Sequence, residues 1–96
     1  MAKGYWVVQI TVTDLDNYPD YVAVAAPAIE EYGGNFLVRG GEAQLREGEA
    51  RARSMVIEFD SYARAIECYE SDAYAPALAL RNQYALTDLV IAEGAA

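Results

Sequence analysis

The chain has 96 residues, of which 54% are hydrophobic and 23% charged, a composition typical of one folded domain rather than of a disordered segment. Fifteen acidic residues against seven basic ones give a net charge of −8, which argues against nucleic acid and anionic membrane surfaces as partners. A single cysteine cannot form an internal disulfide, which favours a reducing, cytoplasmic location. The absence of histidine excludes metal or haem held by histidine and catalysis by an imidazole base.

The first half of the chain predicts a strand, a helix and a second strand. Residues 5–12 (YWVVQITV) are aromatic and β-branched, as expected of a strand that is buried on both faces. An acidic turn precedes a helix in which Tyr18 and Tyr21 begin a row of apolar residues at three- and four-residue steps. The pair Gly33-Gly34 ends this helix with a left-handed cap, and residues 35–39 (NFLVR) predict the second strand.

The second half predicts a hairpin, a divided helix and a last strand. A charged segment (EAQLREGEARAR) indicates an exposed hairpin tip that turns at Glu47-Gly48, before a third strand at residues 54–59 (SMVIEF). Ser61 caps a helix that Ser71-Asp72 interrupts and recaps, so that residues 73–84 form a further helix. Residues 86–92 (LTDLVIA) predict the fourth strand.

This order, βαββαβ with a doubled second helix, predicts one ferredoxin-like α+β domain over residues 1–96. Right-handed crossovers place the first and third strands in the centre of a four-stranded antiparallel sheet. The helices cover one face of such a sheet, and the strands lack clean polar alternation, so the other face is expected to expose apolar side chains. A homodimer through this uncovered face is therefore expected.

Arg39 is the first candidate for a functional residue. A two-residue turn at Glu47-Gly48 pairs positions that sum to 95, which places Arg39 opposite Val56 and diagonal to Glu58 on one sheet face. In one interpretation Arg39 presents its planar fork to a substrate carboxylate and Glu58 is its partner in the empty state. In the other, the two residues form a structural pair that fixes the strand register or the dimer.

Tyrosines on the helix faces that turn toward the sheet are further candidates. Tyr18 and Tyr21 are candidates to contact a substrate, and Tyr69 and Tyr74 are candidate general acids. In the other interpretation they are core residues, as tyrosines at helical spacing usually are. Arg81 lies seven residues after Tyr74 on the same helix face, so it either points into the same cleft or is a solvated charge. No residue pattern indicates a metal site.

Four motifs carry a resemblance to a known family: KGYWVVQITVTD at the start, YGGNFLVRGG at residues 32–41, VIEFDS at 56–61 and CYESDAY at 68–74. Together they resemble domain-of-unknown-function family 1330, nearly from end to end. The resemblance implies a dimeric α/β barrel and no established reaction. The wider superfamily includes cofactor-independent monooxygenases, small isomerases and haem enzymes, and the lack of histidine argues against the haem branch.

Three function classes follow from these observations. The first is a cofactor-independent enzyme, with oxygenase- or isomerase-like proton-transfer chemistry on a small organic acid held between helices and sheet. The second is a binding module that uses the same cleft without chemistry, and the third is an interaction protein whose dimer is the function. No cofactor, metal or nucleic acid is expected in any of them.

Overall fold

The computed structural model describes residues 2–96. Its elements are, in chain order, β1 (Gly4–Val12), α1 (Tyr18–Glu31), β2 (Asn35–Arg39), β3 (Arg53–Phe59), α2 (Tyr62–Glu70), α3 (Ala75–Tyr84) and β4 (Ala85–Glu93). The strands form an antiparallel sheet in the order β2-β3-β1-β4, with β1 and β3 in the centre. The predicted ferredoxin-like topology is therefore confirmed. Within residues 2–96, no helix has the length and apolar character needed to cross a membrane.

The two faces of the sheet differ in burial. On β1, Trp6, Val8 and Ile10 point toward the helices and are at most 3% exposed, whereas Val7 between them is 45% exposed. The prediction that this strand is buried on both faces is wrong for the single chain, because all three helices pack on the same side. The buried core on the helix side is formed by residues from every helix and by the central strands: Trp6, Val8, Ile10, Tyr18, Tyr21, Ala25, Ala28, Ile29, Ile57, Phe59, Ala65, Cys68, Tyr74, Ala77 and Ala85.

The predicted helix ends follow from their capping residues. The hydroxyl of Ser61 accepts a hydrogen bond from the Arg64 amide at 3.0 Å and so begins α2. The hydroxyl of Ser71 accepts one from the Tyr74 amide at 3.1 Å, which confirms the predicted break and recapping between α2 and α3. Gly33 has a φ of +78°, which is the left-handed conformation expected after α1.

The segment between β2 and β3 departs from the prediction. Residues 41–52 form an exposed irregular loop instead of a hairpin tip, so pairing stops after Arg39. A bulge at Leu37 also shifts the register, so that Arg39 lies opposite Met55 and not opposite Val56. Because side chains alternate along a strand, this one-residue shift moves Arg39 to the helix face of the sheet.

Candidate functional site

A cavity of about 210 Å³ lies between α1 and the edge of the sheet formed by β2 and the start of β3. Its wall is mostly apolar, and its polar groups are two tyrosines and two arginines. A cavity of this size accommodates a small organic molecule with one ring, since about 150 Å³ is enough for benzene. The lining residues are Tyr18, Tyr21, Val22, Ala25, Ala26, Ile29, Phe36, Arg39, Gly40, Arg53 and Met55.

Arg39 reaches this cavity from the end of β2. Its guanidinium carbon lies 4.0 Å from the centre of the Phe36 ring, a cation–π contact that holds the side chain across the strand. The predicted pairing of Arg39 with Glu58 is wrong. The Leu37 bulge leaves Glu58 on the opposite face of the sheet, where its carboxylate accepts a hydrogen bond from the Tyr5 hydroxyl at 2.8 Å. Glu58 therefore does not line the cavity with Arg39.

Arg53 is a cavity residue that the sequence reasoning missed. It begins β3, two residues before Met55, and therefore points to the same face as Met55 and its partner Arg39. Its guanidinium carbon lies 5.8 Å from the centre of the Tyr18 ring. The predicted hairpin paired Arg53 with Glu42 and gave it no role, whereas the observed register places two arginines diagonally at one end of the cavity.

The cavity arginines have no carboxylate partner. Within residues 2–96 the ion pairs are Lys3–Asp60, Arg51–Asp88 and Arg64–Glu67. Arg39 and Arg53 belong to none of these pairs, although the protein has an excess of eight negative charges. Arg39 and Arg53 are both solvent-exposed residues at the rim of a mostly apolar cavity, and their guanidinium groups can pair with an anionic ligand there.

A row of three hydrogen-bonding side chains lies behind the cavity. Tyr21 is one of the residues that line the cavity. Its hydroxyl is 3.0 Å from the hydroxyl of Tyr74. Arg81 donates from Nη1 to the Tyr74 hydroxyl at 2.9 Å. Tyr74 is fully buried and Arg81 is 4% exposed, so the structure brings these predicted residues together but keeps Tyr74 and Arg81 out of the cavity wall. The alternative that Arg81 is a solvated charge is wrong.

Tyr69 is not part of the cavity. Its ring packs edge-on against Trp6, with centroids 5.8 Å apart, and lies 6.0 Å from the ring of Tyr74. These contacts agree with the alternative interpretation of a packing tyrosine. They leave Tyr18 and Tyr21 as the tyrosines that line the cavity.

The phenols of Tyr18 and Tyr74 stay protonated, and can donate hydrogen bonds, at neutral pH. Burial raises the pKa of Tyr18, and the neighbouring Tyr21 adds to the increase, while Arg53 and Arg81 partly offset it. Burial also raises the pKa of Tyr74. Burial raises the pKa of the Cys68 thiol to about 12, so this residue is a protonated core residue. The site therefore offers donors and positive charge to a ligand.

Carboxylates and metal-binding groups contribute nothing to this cavity. Its lining includes no aspartate, glutamate or cysteine. Across residues 2–96, no three histidine, cysteine, aspartate or glutamate side chains lie close enough together to hold a metal ion. The chemistry that the lining residues supply is thus the binding and stabilisation of an anion.

Comparisons with known proteins identify the fold. A family model described as "Domain of unknown function (DUF1330)" matches residues 3–95. A protein of unknown function from Rhodopseudomonas palustris has 19% sequence identity and a TM-score of 0.75, over 99% of this chain and 84% of that one. SnoaB, a cofactor-independent oxygenase from Streptomyces nogalater, has 11% identity and a TM-score of 0.65, over 100% and 96% of the two chains.

A third solved structure is described as a dimeric ferredoxin-like protein of unknown function from Thermobifida fusca. It has 14% identity and a TM-score of 0.54, over 99% of this chain and 92% of that one. A search of curated protein sequences gave no significant match. At these identities the structural matches establish the fold, so the site has to be interpreted from its own residues.

Proposed function

The chain belongs to the DUF1330 family, and on that premise we propose that it binds a small organic acid with an apolar, single-ring body in the cavity between α1 and the β2–β3 edge. Arg39 and Arg53 hold the carboxylate, while the apolar wall and the ring of Tyr18 contact the body of the ligand. The observation that carries this proposal is the pair of arginines without carboxylate partners in a protein with a net charge of −8.

Burial and charge explain why an anion would prefer this cavity to water. The wall is mostly apolar, so the body of the ligand gains from leaving water at about 25 cal/mol per Å² of buried apolar surface. A carboxylate loses its hydration in the cavity, but a guanidinium can replace part of that hydration with two parallel hydrogen bonds. A neutral ligand of the same shape lacks this second contribution and should bind more weakly.

The reaction that this site supports best is cofactor-independent chemistry through an anionic form of the substrate. Guanidinium and phenol donors stabilise an enolate or phenolate whose proton is lost to solvent, because the lining residues include no carboxylate or thiol to accept it. Such an anion is the reactive form both in keto–enol isomerisation and in direct reaction with O₂. The fold shared with a cofactor-independent oxygenase supports this assignment by analogy.

Binding of benzoate tests the proposal, with benzamide as its neutral counterpart. Benzoate should raise the Tm of the wild-type protein progressively with concentration, because a ligand at 100 times its Kd stabilises the folded state by about 2.7 kcal/mol. Benzamide should give a much smaller shift. The double variant Arg39→Met/Arg53→Met should lose the preference for benzoate, whereas Arg46→Met, in the exposed loop, should retain it.

Two outcomes would contradict the assignment. One is an undiminished benzoate shift in the double variant, and the other is the absence of a shift with benzoate, phenylacetate and salicylate. A binding module without chemistry is the alternative at the same site. Oxygen uptake or isomerisation by the wild-type protein, lost in Arg39→Met/Arg53→Met, would separate the enzyme from that module.

We also propose that the chain forms a homodimer through the open face of its sheet. Val7, Val38, Leu86 and Val90 lie on this face and are 42–61% exposed in the single chain. A second copy would bury these side chains and close a dimeric α/β barrel, as the description of the Thermobifida fusca neighbour as dimeric supports. Light scattering should give twice the chain mass.

The lone, buried Cys68 suits a reducing cytoplasm.

A further inference from the structure

We infer that Tyr21 donates a hydrogen bond to a second oxygen of the ligand, and that Tyr74 and Arg81 hold its hydroxyl in that orientation. This inference rests on the proposed anion site and narrows its ligand class. The ligand would be an organic acid that also carries a phenol, enol or ketone oxygen at the far end of its apolar body. The carboxylate would lie at Arg39 and Arg53, and the second oxygen at Tyr21.

The number of protons available along Arg81, Tyr74 and Tyr21 determines which hydroxyl donates in the hydrogen bond between the two tyrosines. The Tyr74 hydroxyl oxygen accepts a proton from Arg81, which has no acceptor atom of its own. The proton of Tyr74 then needs an acceptor, and within residues 2–96 the Tyr21 hydroxyl oxygen is its hydrogen-bond partner. If Tyr21 were the donor instead, the fully buried Tyr74 proton would be left without a partner, which is unfavourable.

The same count leaves the proton of Tyr21 available to a ligand. Among residues 2–96, the Tyr21 hydroxyl has one hydrogen-bond partner, Tyr74, and in the favoured direction it accepts from that partner. Tyr21 is one of the residues that line the cavity, so a ligand oxygen that reaches its hydroxyl can receive the unused proton. The order of donation is therefore Arg81 to Tyr74, Tyr74 to Tyr21, and Tyr21 to the ligand.

Arg81 gives this row its polarity. Arg81 as a whole residue is 4% exposed, it belongs to none of the ion pairs within residues 2–96, and its Nε has no hydrogen-bond partner. An uncompensated positive charge in the protein interior is unfavourable unless negative charge develops nearby. Hydrogen bonds in a row polarise one another, so the charge at Arg81 makes Tyr21 a better donor to a ligand oxyanion.

The two ends of the site lie on different walls of the cavity. Arg39 and Arg53 come from the sheet edge, whereas Tyr21 comes from the first turns of α1 and is supported from behind by α3. A ligand with one oxygen-bearing group can hydrogen-bond either to the arginines or to Tyr21, but not to both. A ligand with oxygens at both ends of a ring can satisfy both, which selects hydroxy- and oxo-acids over simple carboxylates.

The compound 4-hydroxy-3-nitrobenzoate tests this inference because its phenolate absorbs visible light and its phenol does not. The measurement is the pKa of the protein-bound phenol, from the absorbance of saturated complexes across pH. A hydrogen bond to a charged group should favour the bound phenolate by about tenfold or more. The wild-type complex should therefore ionise at lower pH than the complex of Tyr21→Phe, by one unit or more.

Matched variants separate this role from general effects on the fold. Tyr69→Phe removes the hydroxyl of a tyrosine whose ring lies 6.0 Å from that of Tyr74 but which does not line the cavity, and it should leave the bound phenol pKa at its wild-type value. Arg81→Met should raise that pKa in the same direction as Tyr21→Phe, but by less. If Tyr21→Phe folds poorly, Arg81→Met carries the test.

The outcomes distinguish this inference from the proposed function. If the probe binds and requires Arg39 and Arg53, yet its phenol ionises identically in the wild type, Tyr21→Phe and Arg81→Met, Tyr21 is not the donor and the inference is overturned while the anion site stands. If the probe does not bind although benzoate does, the inference is overturned and the anion site stands; if neither binds, both are overturned. A bound phenol pKa that rises in both variants and stays unchanged in Tyr69→Phe supports the inference.

Discussion

Replacement of Arg81 by methionine should leave the protein at least as stable as the wild type. The change removes one hydrogen bond to Tyr74, and a hydrogen bond to a charged group contributes about 1.5–3 kcal/mol. Tyr74 keeps its contact with Tyr21, so the loss should be near the low end of that range. The change also removes a buried charge without an ionic partner, whose desolvation costs several kcal/mol. Methionine preserves the apolar stem.

The gain from removing the buried charge should exceed the loss of the hydrogen bond. The free energy of unfolding is therefore expected to rise by about 1 kcal/mol, which corresponds to about 4–8 °C in Tm for a chain of this size. Urea unfolding at fixed protein concentration measures this value, with Arg46→Met in the exposed loop as a control that should change stability by less than about 0.5 kcal/mol. A loss of more than about 2 kcal/mol in Arg81→Met would refute the reasoning, because it would show that the buried guanidinium is there for stability.

Three further predictions concern the fold, the assembly and alkaline pH. Gly4→Ala places a methyl group onto the backbone of Ser61 and should destabilise the protein by about 1–3 kcal/mol. Gly41→Ala has open space around the added methyl group and should not destabilise it. Equal effects of the two changes in urea unfolding would contradict the packing at Gly4. Val7→Asp should convert the proposed dimer to a monomer in light scattering, and an unchanged mass would exclude the open face as the interface. The pKa of Cys68 is raised from 9.0 to about 12 in the folded state, so its contribution to stability is complete below pH 9 and is lost as the pH rises toward about 12. Cys68→Ala should reduce this loss of stability at alkaline pH. An identical loss in the variant and the wild type would contradict the prediction.

The fold was predictable because its signals are local. Runs of β-branched and aromatic residues mark the strands. Ser61, Ser71 and Gly33 mark helix ends through hydrogen bonds or backbone conformations that involve close neighbours in sequence. The ferredoxin-like order of strands then follows from the handedness of the crossovers. None of these steps requires knowledge of which side chains meet across the sheet.

The site depended on such knowledge, and the predicted register was wrong along β2: Phe36 lies opposite Ile57 and Arg39 opposite Met55, whereas the prediction paired positions that sum to 95. Leu37 forms a bulge that no glycine or proline announces, and it moves Arg39 from the predicted Glu58 side to the cavity side. Arg53 was missed for the same reason, since its face was assigned from a hairpin that does not form. The sequence thus singled out Arg39 as a candidate, either as an anion anchor or as half of a structural pair, but it assigned Arg39 the wrong partner.

The contact between Tyr21 and Tyr74 was beyond sequence reasoning for a different cause. These residues are 53 positions apart, and their hydroxyls meet only because α1 and α3 pack side by side on the sheet. The spacing of Tyr74 and Arg81 by seven residues did predict a shared helix face, as the 2.9 Å hydrogen bond between them confirms. Helical periodicity places side chains on a face, but it does not give the distance to a neighbouring helix.

The crystal structure of the protein with 4-hydroxy-3-nitrobenzoate would test the anion site most directly. The carboxylate should lie within hydrogen-bond distance of the Arg39 and Arg53 guanidinium groups, with the ring against Met55 and the phenolate oxygen near the Tyr21 hydroxyl. A ligand found on the open face of the sheet, in the loop at residues 41–52, or in the cavity with its carboxylate away from both arginines would contradict the proposed site.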